Sequence, residues 1–223
     1  MKCDKPLNEK LNKFELTKHL NQHATNLYIG KPRSGKTTLI NGLFGSKDVF
    51  NKTFHRVYLF QPIASRASME KSYISQIPEE NKYDDLTKET IDDVLEKIEN
   101  EPENINNAII IDDLTTRLKN KDTEKQLRHL VNNRRHLHTS IFLCVQSWKS
   151  IPLQIRKLFT NIFCFKLAKG EQDCLFDEML ELEKEWYNPI RKLVWKDPHD
   201  WLFINVDNNE LFKKFDKIEI EEE

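Results

Sequence analysis

The chain has 223 residues, 38% of them hydrophobic and 32% charged, with 13 Phe and 4 Trp and a formal net charge of −1 at pH 7. This length suits one generous domain with its own buried core, and the balance of apolar and charged residues excludes a disordered or fibrous chain. Apolar runs such as "IFLCV" (141–145) are far shorter than a membrane-crossing helix, and residues 1–20 mix Lys, Asp, Glu and Asn with isolated Leu and Phe instead of forming a cleavable leader, so an intracellular protein without a membrane span is expected.

Residues 1–23, which include "LNEKLNKFELTKHL", read as a polar, partly helical arm leading into a first strand at 24–29. A glycine-bearing loop, "GKPRSGKT" (30–37), follows, and a helix then runs to about Phe44. "HRVYLFQP" (55–62) is a β-branched and aromatic strand closed by proline. Residues 62–90 are polar and mixed, the composition of a surface insertion, after which Ile91, Val94, Leu95 and Ile98 recur at helical spacing. "NAIIIDD" (107–113) is a nearly unbroken apolar run, the pattern of a strand buried on both faces.

A helix begun near Asp122, taken as its cap, carries Leu127, Leu130 and Val131 on one face. "SIFLCVQ" (140–146) and "NIFCFK" (161–166) are two more buried strands, separated by "IPLQIRKLF"; a helix is expected over 171–185 and a strand at "DWLFINVD" (200–207), before an acidic tail, "EIEEE". Apolar strands alternating with helices define an α/β fold with a mostly parallel central sheet covered on both faces. The expected organisation is an arm at 1–23, a core at 24–185 and an extension at 186–223, holding Trp186, Trp195 and Trp201, packed on the same domain as an edge or lid.

The four cysteines form no C-x-x-C pair, and Cys144 and Cys164 lie in apolar runs, so buried, reduced thiols are expected rather than a metal or redox centre. His129, His136 and His138 lack Cys partners and read as solvated surface residues. The near-neutral net charge hides a division: residues 79–103 hold 11 acidic and 3 basic side chains, whereas residues 114–170 hold 12 Lys or Arg against Asp122 and Glu124 alone. One segment repels phosphate and the other attracts it.

The loop Gly30, Lys31, Pro32, Arg33, Ser34, Gly35, Lys36, Thr37, followed by Thr38, fits G-x-x-x-x-G-K-[ST] at every specified position, between a strand and a helix. Glycines let the backbone wrap a phosphate, the loop N–H groups turn inward, and the helix presents its positive end. Lys36 neutralises the β- and γ-phosphates of ATP, and Thr37 supplies a hydroxyl to Mg²⁺. An Asp at the carboxyl end of a core strand suits the Mg²⁺ shell, which points to Asp112; Asp113, one residue on, is placed to orient and polarise an attacking water. Gln146 ends the next strand, where an amide can reach the γ-phosphate or the lytic water. In "NNRRHLH" (132–138), Arg134 and Arg135 are equal candidates for a finger supplied to a neighbouring subunit's nucleotide, with Arg33 ranked below them.

"GKPRSGKT", "AIIIDD" and "NNRRHLHTSIFLCVQSWKSIPLQIRKLFTNIFCFK" together make residues 24–168 resemble the genome-packaging ATPases of large double-stranded DNA viruses and their virophages, the poxvirus-type branch of the FtsK/HerA superfamily. The resemblance implies a three-layer, RecA-like P-loop NTPase in which the phosphate-loop strand lies beside the Gln146 strand. It also implies a homo-oligomeric ring of about five or six subunits that moves double-stranded DNA into a preformed capsid, with capsid portal or vertex proteins as partners. The setting it implies is the virus assembly site in the host-cell cytoplasm, and the virion. Many members of the superfamily carry Glu where Asp113 stands; the shorter acid is typical of the viral branch. A ring would bring several copies of the 114–170 segment around one channel, so a neutral protomer can still offer phosphates a basic lining.

The rival readings are a nucleotide-dependent assembly scaffold with weak turnover, and a P-loop kinase, for which no Arg-rich lid is evident. No L-S-G-G-Q motif points to an ABC-type ATPase.

Overall fold

A computed structural model describes residue 20 and residues 23–47, 49–66, 72–102 and 105–220. The arm expected at 1–23 lies outside the described residues apart from Leu20 and His23, as do the last three glutamates of the acidic tail. The first strand, β1 (Thr25–Ile29), is followed by the loop and helix α1 (Lys36–Gly45), then β2 (Arg56–Phe60), the single turn α2 (Ile63–Arg66) and β3 (Lys82–Tyr83). Helix α3 (Lys88–Glu99) leads to β4 (Asn107–Ile111), α4 (Lys121–Asn133) to β5 (Thr139–Val145), and the short α5 (Leu153–Arg156) to β6 (Asn161–Phe165). Helices α6 (Lys169–Met179) and α7 (Tyr187–Val194) precede β7 (Trp201–Asn205), β8 (Glu210–Lys213) and β9 (Asp216–Ile218).

These strands form one sheet of nine in the order β3-β2-β4-β5-β1-β6-β7-β8-β9. Pairing is parallel from β3 through β6 and antiparallel from β6 to β9. The phosphate-loop strand β1 pairs with β5, Ile29 opposite Val145, as the resemblance implies. Side chains alternate across each strand. Leu27, Ile29, Ile109, Ile111, Ile141 and Leu143 enter a core closed by α3, α4, α6 and α7, while Tyr28, Ile110, Phe142, Cys144 and Phe163 enter a second core closed by α1. On that second face Phe44 of α1 meets Phe142 edge-on at 4.9 Å, and Tyr28 stacks on Phe163 at 4.5 Å. Two covered faces explain why the central strands are apolar on both faces once past the polar residues that open them.

The structure corrects four local expectations. The helix expected at 171–185 ends at Met179, where Leu180 turns extended and its N–H bonds the Phe176 carbonyl. The charged run that follows cannot be buried, and the chain reverses so that Tyr187 packs edge-on against Phe176 at 5.0 Å and donates its hydroxyl hydrogen to Asp177. Second, the cap of α4 is Asn120, whose Oδ1 accepts from the N–H groups of Asp122 and Thr123; Asp122 lies in the first turn, where its charge complements the helix dipole. Third, residues 62–90 are not wholly an insertion, since Lys82 and Tyr83 form the sheet's edge strand and Tyr83 stacks on Phe60 at 4.9 Å. Fourth, His138 is half-buried, with a left-handed φ of 45° and its ring edge-on to His23 at 5.2 Å, whereas His129 and His136 are exposed. Within the expected extension, the described residues 186–220 add β7, β8 and β9 to the sheet edge.

The two charge blocks are neighbours rather than separate poles. Helix α3 of the acidic block packs beside α4 of the basic one, Gln126 donates to Asp92, and Arg117 pairs with Asp85 at 2.7 Å. Arg156 is likewise engaged, by Glu178 at 2.7 Å and by the Trp148 ring. Lys119, Lys121, Lys125, Lys149, Lys157 and Lys169 remain exposed. Among the described residues no helix is long and apolar enough to cross a membrane.

Candidate active site

Parallel strands put their carboxyl ends along one rim, and loops there converge on a common crevice. Gly30 follows β1, Gln61 follows β2, Asp112 and Asp113 follow β4, and Gln146 follows β5. The loop after β1 starts with the Gly30 N–H donating to the Val145 carbonyl at 3.1 Å and tightens as the Ser34 N–H donates to Lys31 at 3.2 Å. A Cβ at Gly30 would lie 2.6 Å from both the Phe165 Cβ and the Ser34 Oγ, so no larger residue fits there. Gly35 turns the chain into α1 with φ of 106°, a conformation that favours glycine.

Helix α1 has no side-chain cap and no acid in its first turn, so its positive end and its first N–H groups are left for an anion. Lys31, Pro32, Arg33 and Thr38 are exposed around it. Lys36 is 9% exposed, and its ammonium donates to the carbonyls of Gly30 at 2.8 Å and Lys31 at 3.0 Å, which arches the cation across the loop.

Thr37 joins this loop to the acidic strand: its hydroxyl donates to Asp112 Oδ2 at 2.9 Å, and Gln61 Nε2 donates to the same oxygen at 3.0 Å. A hydroxyl and a carboxylate oxygen meeting beside a phosphate loop are hard oxygen donors of the kind Mg²⁺ takes. Asp112 is 4% exposed; burial raises its carboxyl above the ordinary range, the Thr37 hydroxyl opposes this, Asp113 adds to it and Lys36 opposes it. Because its folded-state affinity for a proton is raised, ionised Asp112 costs stability once the pH climbs above the ordinary carboxylate range. Asp112→Asn is therefore expected to leave the nucleotide-free protein at least as stable as wild type at pH 7, with any gain shrinking towards pH 4, and to lose whatever thermal stability Mg²⁺-ATP adds to wild type. Melting curves at both pH values, with and without Mg²⁺-ATP, check this.

Asp113 adopts a left-handed φ of 61° and is exposed. Gln146 Nε2 donates to its Oδ1 at 3.2 Å, and the Ser65 hydroxyl donates to its Oδ2 at 3.0 Å. The structure thus brings together Lys36, Thr37, Asp112, Asp113 and Gln146. It does not bring in Arg134 or Arg135. Both precede β5, whose seven residues carry Gln146 at the other end, a separation of about 20 Å. Arg134 is also committed, donating from Nε to the His23 carbonyl at 2.8 Å and from Nη1 to the Val131 carbonyl at 3.0 Å, whereas Arg135 is exposed.

Three residues of this site escape the sequence reading. Gln61 had a signal, an amide closing an apolar strand in the same way as Gln146. Ser65 had none, and neither had Glu171, in the first turn of α6. The Glu171 carboxylate accepts from the Ser147 hydroxyl at 3.0 Å and from the N–H groups of Trp148 at 2.5 Å and Lys149 at 3.3 Å, clamping the three residues after Gln146. Charge-assisted bonds to backbone N–H groups are among the stronger ones. Glu171→Ala is expected to lower kcat about ten-fold by loosening Gln146 while ATP affinity stays within about two-fold, which steady-state kinetics and nucleotide titration together measure. A separate concavity of about 780 Å³ lies at the amino ends of the strands, where Arg56 pairs with Glu101 and Lys97 with Asp93.

The family model described as Poxvirus A32 protein matches residues 11–186. No curated protein sequence matches the chain. Among solved structures, the fold is similar to B204, the DNA-packaging ATPase from Sulfolobus Turreted Icosahedral Virus, with a TM-score of 0.63 at 14% identity over 86% of this chain and 97% of that one. It is also similar to the genome packaging NTPase B204 from Sulfolobus turreted icosahedral virus 2 in complex with ATP-gammaS, with a TM-score of 0.61 at 13% identity over 85% of this chain and 95% of that one. ATPases 2 and 3 of EssC from Geobacillus thermodenitrificans align with a TM-score of 0.57 at 14% identity, over 82% of this chain and 38% of that one. At these identities the likeness shows a shared fold, the RecA-like P-loop arrangement.

Proposed function

The chain belongs to the Poxvirus A32 protein family, and on that premise we propose that it is an ATP-hydrolysing motor that drives double-stranded DNA into a viral capsid. The observation that carries the proposal is the Thr37–Asp112 hydrogen bond, which ties the uncapped phosphate-loop helix to the acidic strand and leaves Asp113 beside it. In this reading the loop N–H groups and Lys36 bind the triphosphate, and Thr37 with Asp112 hold Mg²⁺. The ion supplies positive charge to phosphate oxygens when bound. Asp113 orients the attacking water through its carboxylate, and Gln146, whose following three residues are clamped by Glu171, steers Asp113 and reports the γ-phosphate.

Assistance from Arg134 or Arg135 has to come from a neighbouring protomer, because both sit at the opposite end of β5 from the site, whereas the lower-ranked Arg33 is exposed in the loop itself. Arg135 is the better candidate, since the guanidinium of Arg134 is bound to two backbone carbonyls. A ring of copies meets that need and gathers the exposed lysines of the 114–170 segment around DNA. Contacts of this kind are to phosphates, so they are independent of sequence and weaken with salt. Capsid portal or vertex proteins, and an assembly site inside the infected cell, follow from the same reading.

The test is phosphate release from ATP as a function of protein concentration, with and without duplex DNA. Turnover that rises more steeply than linearly with concentration and is stimulated by DNA is expected. ATP binding with no turnover under any of these conditions would instead make the protein a nucleotide-dependent scaffold.

A further inference from the structure

Residues beyond the family match return to the phosphate loop. The turn between α7 and β7 carries His199, whose Nδ1 lies 3.0 Å from the Ser34 carbonyl oxygen. A carbonyl only accepts, so Nδ1 bears the hydrogen and donates it. The ring also borders Gly35, where a Cβ would meet Nδ1 at 3.6 Å.

The turn that presents His199 is anchored. Asp200, 1% exposed, accepts from the N–H groups of Lys196 at 3.2 Å and Asp197 at 2.9 Å through Oδ2, and its Oδ1 pairs with Lys214 at 2.5 Å. Trp201 then enters β7 and packs on Phe163 of β6. Phe165, at the end of the same β6, is the side chain against which Gly30 sits. The loop that wraps phosphate is therefore backed on one side by β6 and on another by the C-terminal turn.

Peptide planarity gives the Ser34 contact its consequence. In a trans peptide the C=O of one residue and the N–H of the next point in opposite directions. Holding the Ser34 carbonyl towards His199 aims the Gly35 N–H away from it, on the opposite side of the loop. Glycine at one end of a peptide plane lets that plane turn over at small cost, so the loop itself does not specify the orientation.

We propose that His199 is a positioning residue for nucleotide binding: by fixing the Ser34 carbonyl it sets the Gly35 N–H in the orientation that a phosphate oxygen needs. The inference rests on the nucleotide-binding reading above. It gives the C-terminal extension a part in the site that the family match, which stops at residue 186, does not cover.

One net hydrogen bond corresponds to about a five- to ten-fold change in affinity. His199→Ala in the full chain is expected to raise the Kd and KM for Mg²⁺-ATP by about that factor while kcat stays within about two-fold. His199→Asn keeps an N–H donor at nearly the position of Nδ1 and is expected to recover most of the lost affinity. Nucleotide titration and steady-state kinetics of wild type and both variants, with Lys36→Ala as the non-binding control, provide the readout. Unchanged Kd in His199→Ala, or His199→Asn as weak as the alanine variant, overturns the assignment while wild-type binding leaves the motor reading intact. Failure of wild type itself to bind ATP overturns both.

Discussion

Lys36→Ala is expected to reduce ATP turnover by at least about a thousand-fold, the scale seen when a preorganised charge aimed at a reacting phosphate is removed. Two effects add. The substitution deletes the only lysine ammonium held inside the loop, and it strips the Gly30 and Lys31 carbonyls of the donor that both now share. Lys36→Arg should fail almost as badly, because a planar guanidinium does not fit between two carbonyls shaped around a point charge. Neither change should unfold the protein, since the core under α1 is built from Leu39, Ile40, Leu43 and Phe44. Melting temperature and phosphate release measured on the same preparations separate the effects: an Ala variant that folds and still turns over at a tenth of the wild-type rate would remove Lys36 from its role.

Much of this architecture is legible in the sequence for one physical reason. Strands β1, β4, β5, β6 and β7 are buried on both faces, so each is an apolar run that no solvated element would tolerate. The elements that escape are those whose burial is one-sided or whose partners are distant. Lys82 and Tyr83 form an edge strand inside a polar segment, and the short "ELFK" of β8 and the polar "DKI" of β9 are strands only because β7 lies beside β8 and β8 beside β9. The end of α6 at Met179 depends on Tyr187 returning to Phe176, a contact between residues whose spacing carries no local signature.

The site divides in the same way. Lys36, Thr37, Asp112 and Asp113 follow from local spacing, because a phosphate loop and an acid-tipped strand are each contiguous in sequence. Ser65, Glu171 and His199 come from three separate loops and helices, and their relevance appears only when the sheet gathers them at one rim. The two adjacent arginines are alike in sequence and differ in the structure: Arg134 closes the end of α4 on the His23 and Val131 carbonyls, and Arg135 does not.

Asp113→Asn should separate binding from chemistry. The amide is isosteric, and its oxygen can still accept from one of Ser65 or Gln146, so the left-handed turn at position 113 and the neighbouring Asp112 contacts to Thr37 and Gln61 should survive. An amide cannot accept a proton from water as a carboxylate does, so turnover is expected to fall by about 10²- to 10⁴-fold while Mg²⁺-ATP raises the melting temperature as much as in wild type. Both Asp113 oxygens are engaged, one by Gln146 and one by Ser65, so a water can be oriented only as a third partner or by displacing one of these donors. Ser65→Ala distinguishes the two: unchanged turnover fits the shared arrangement, and faster turnover fits displacement. Wild-type turnover in Asp113→Asn would take the water-orienting role away from this residue, and with it the reason for Gln146 and Ser65 to be arranged around it.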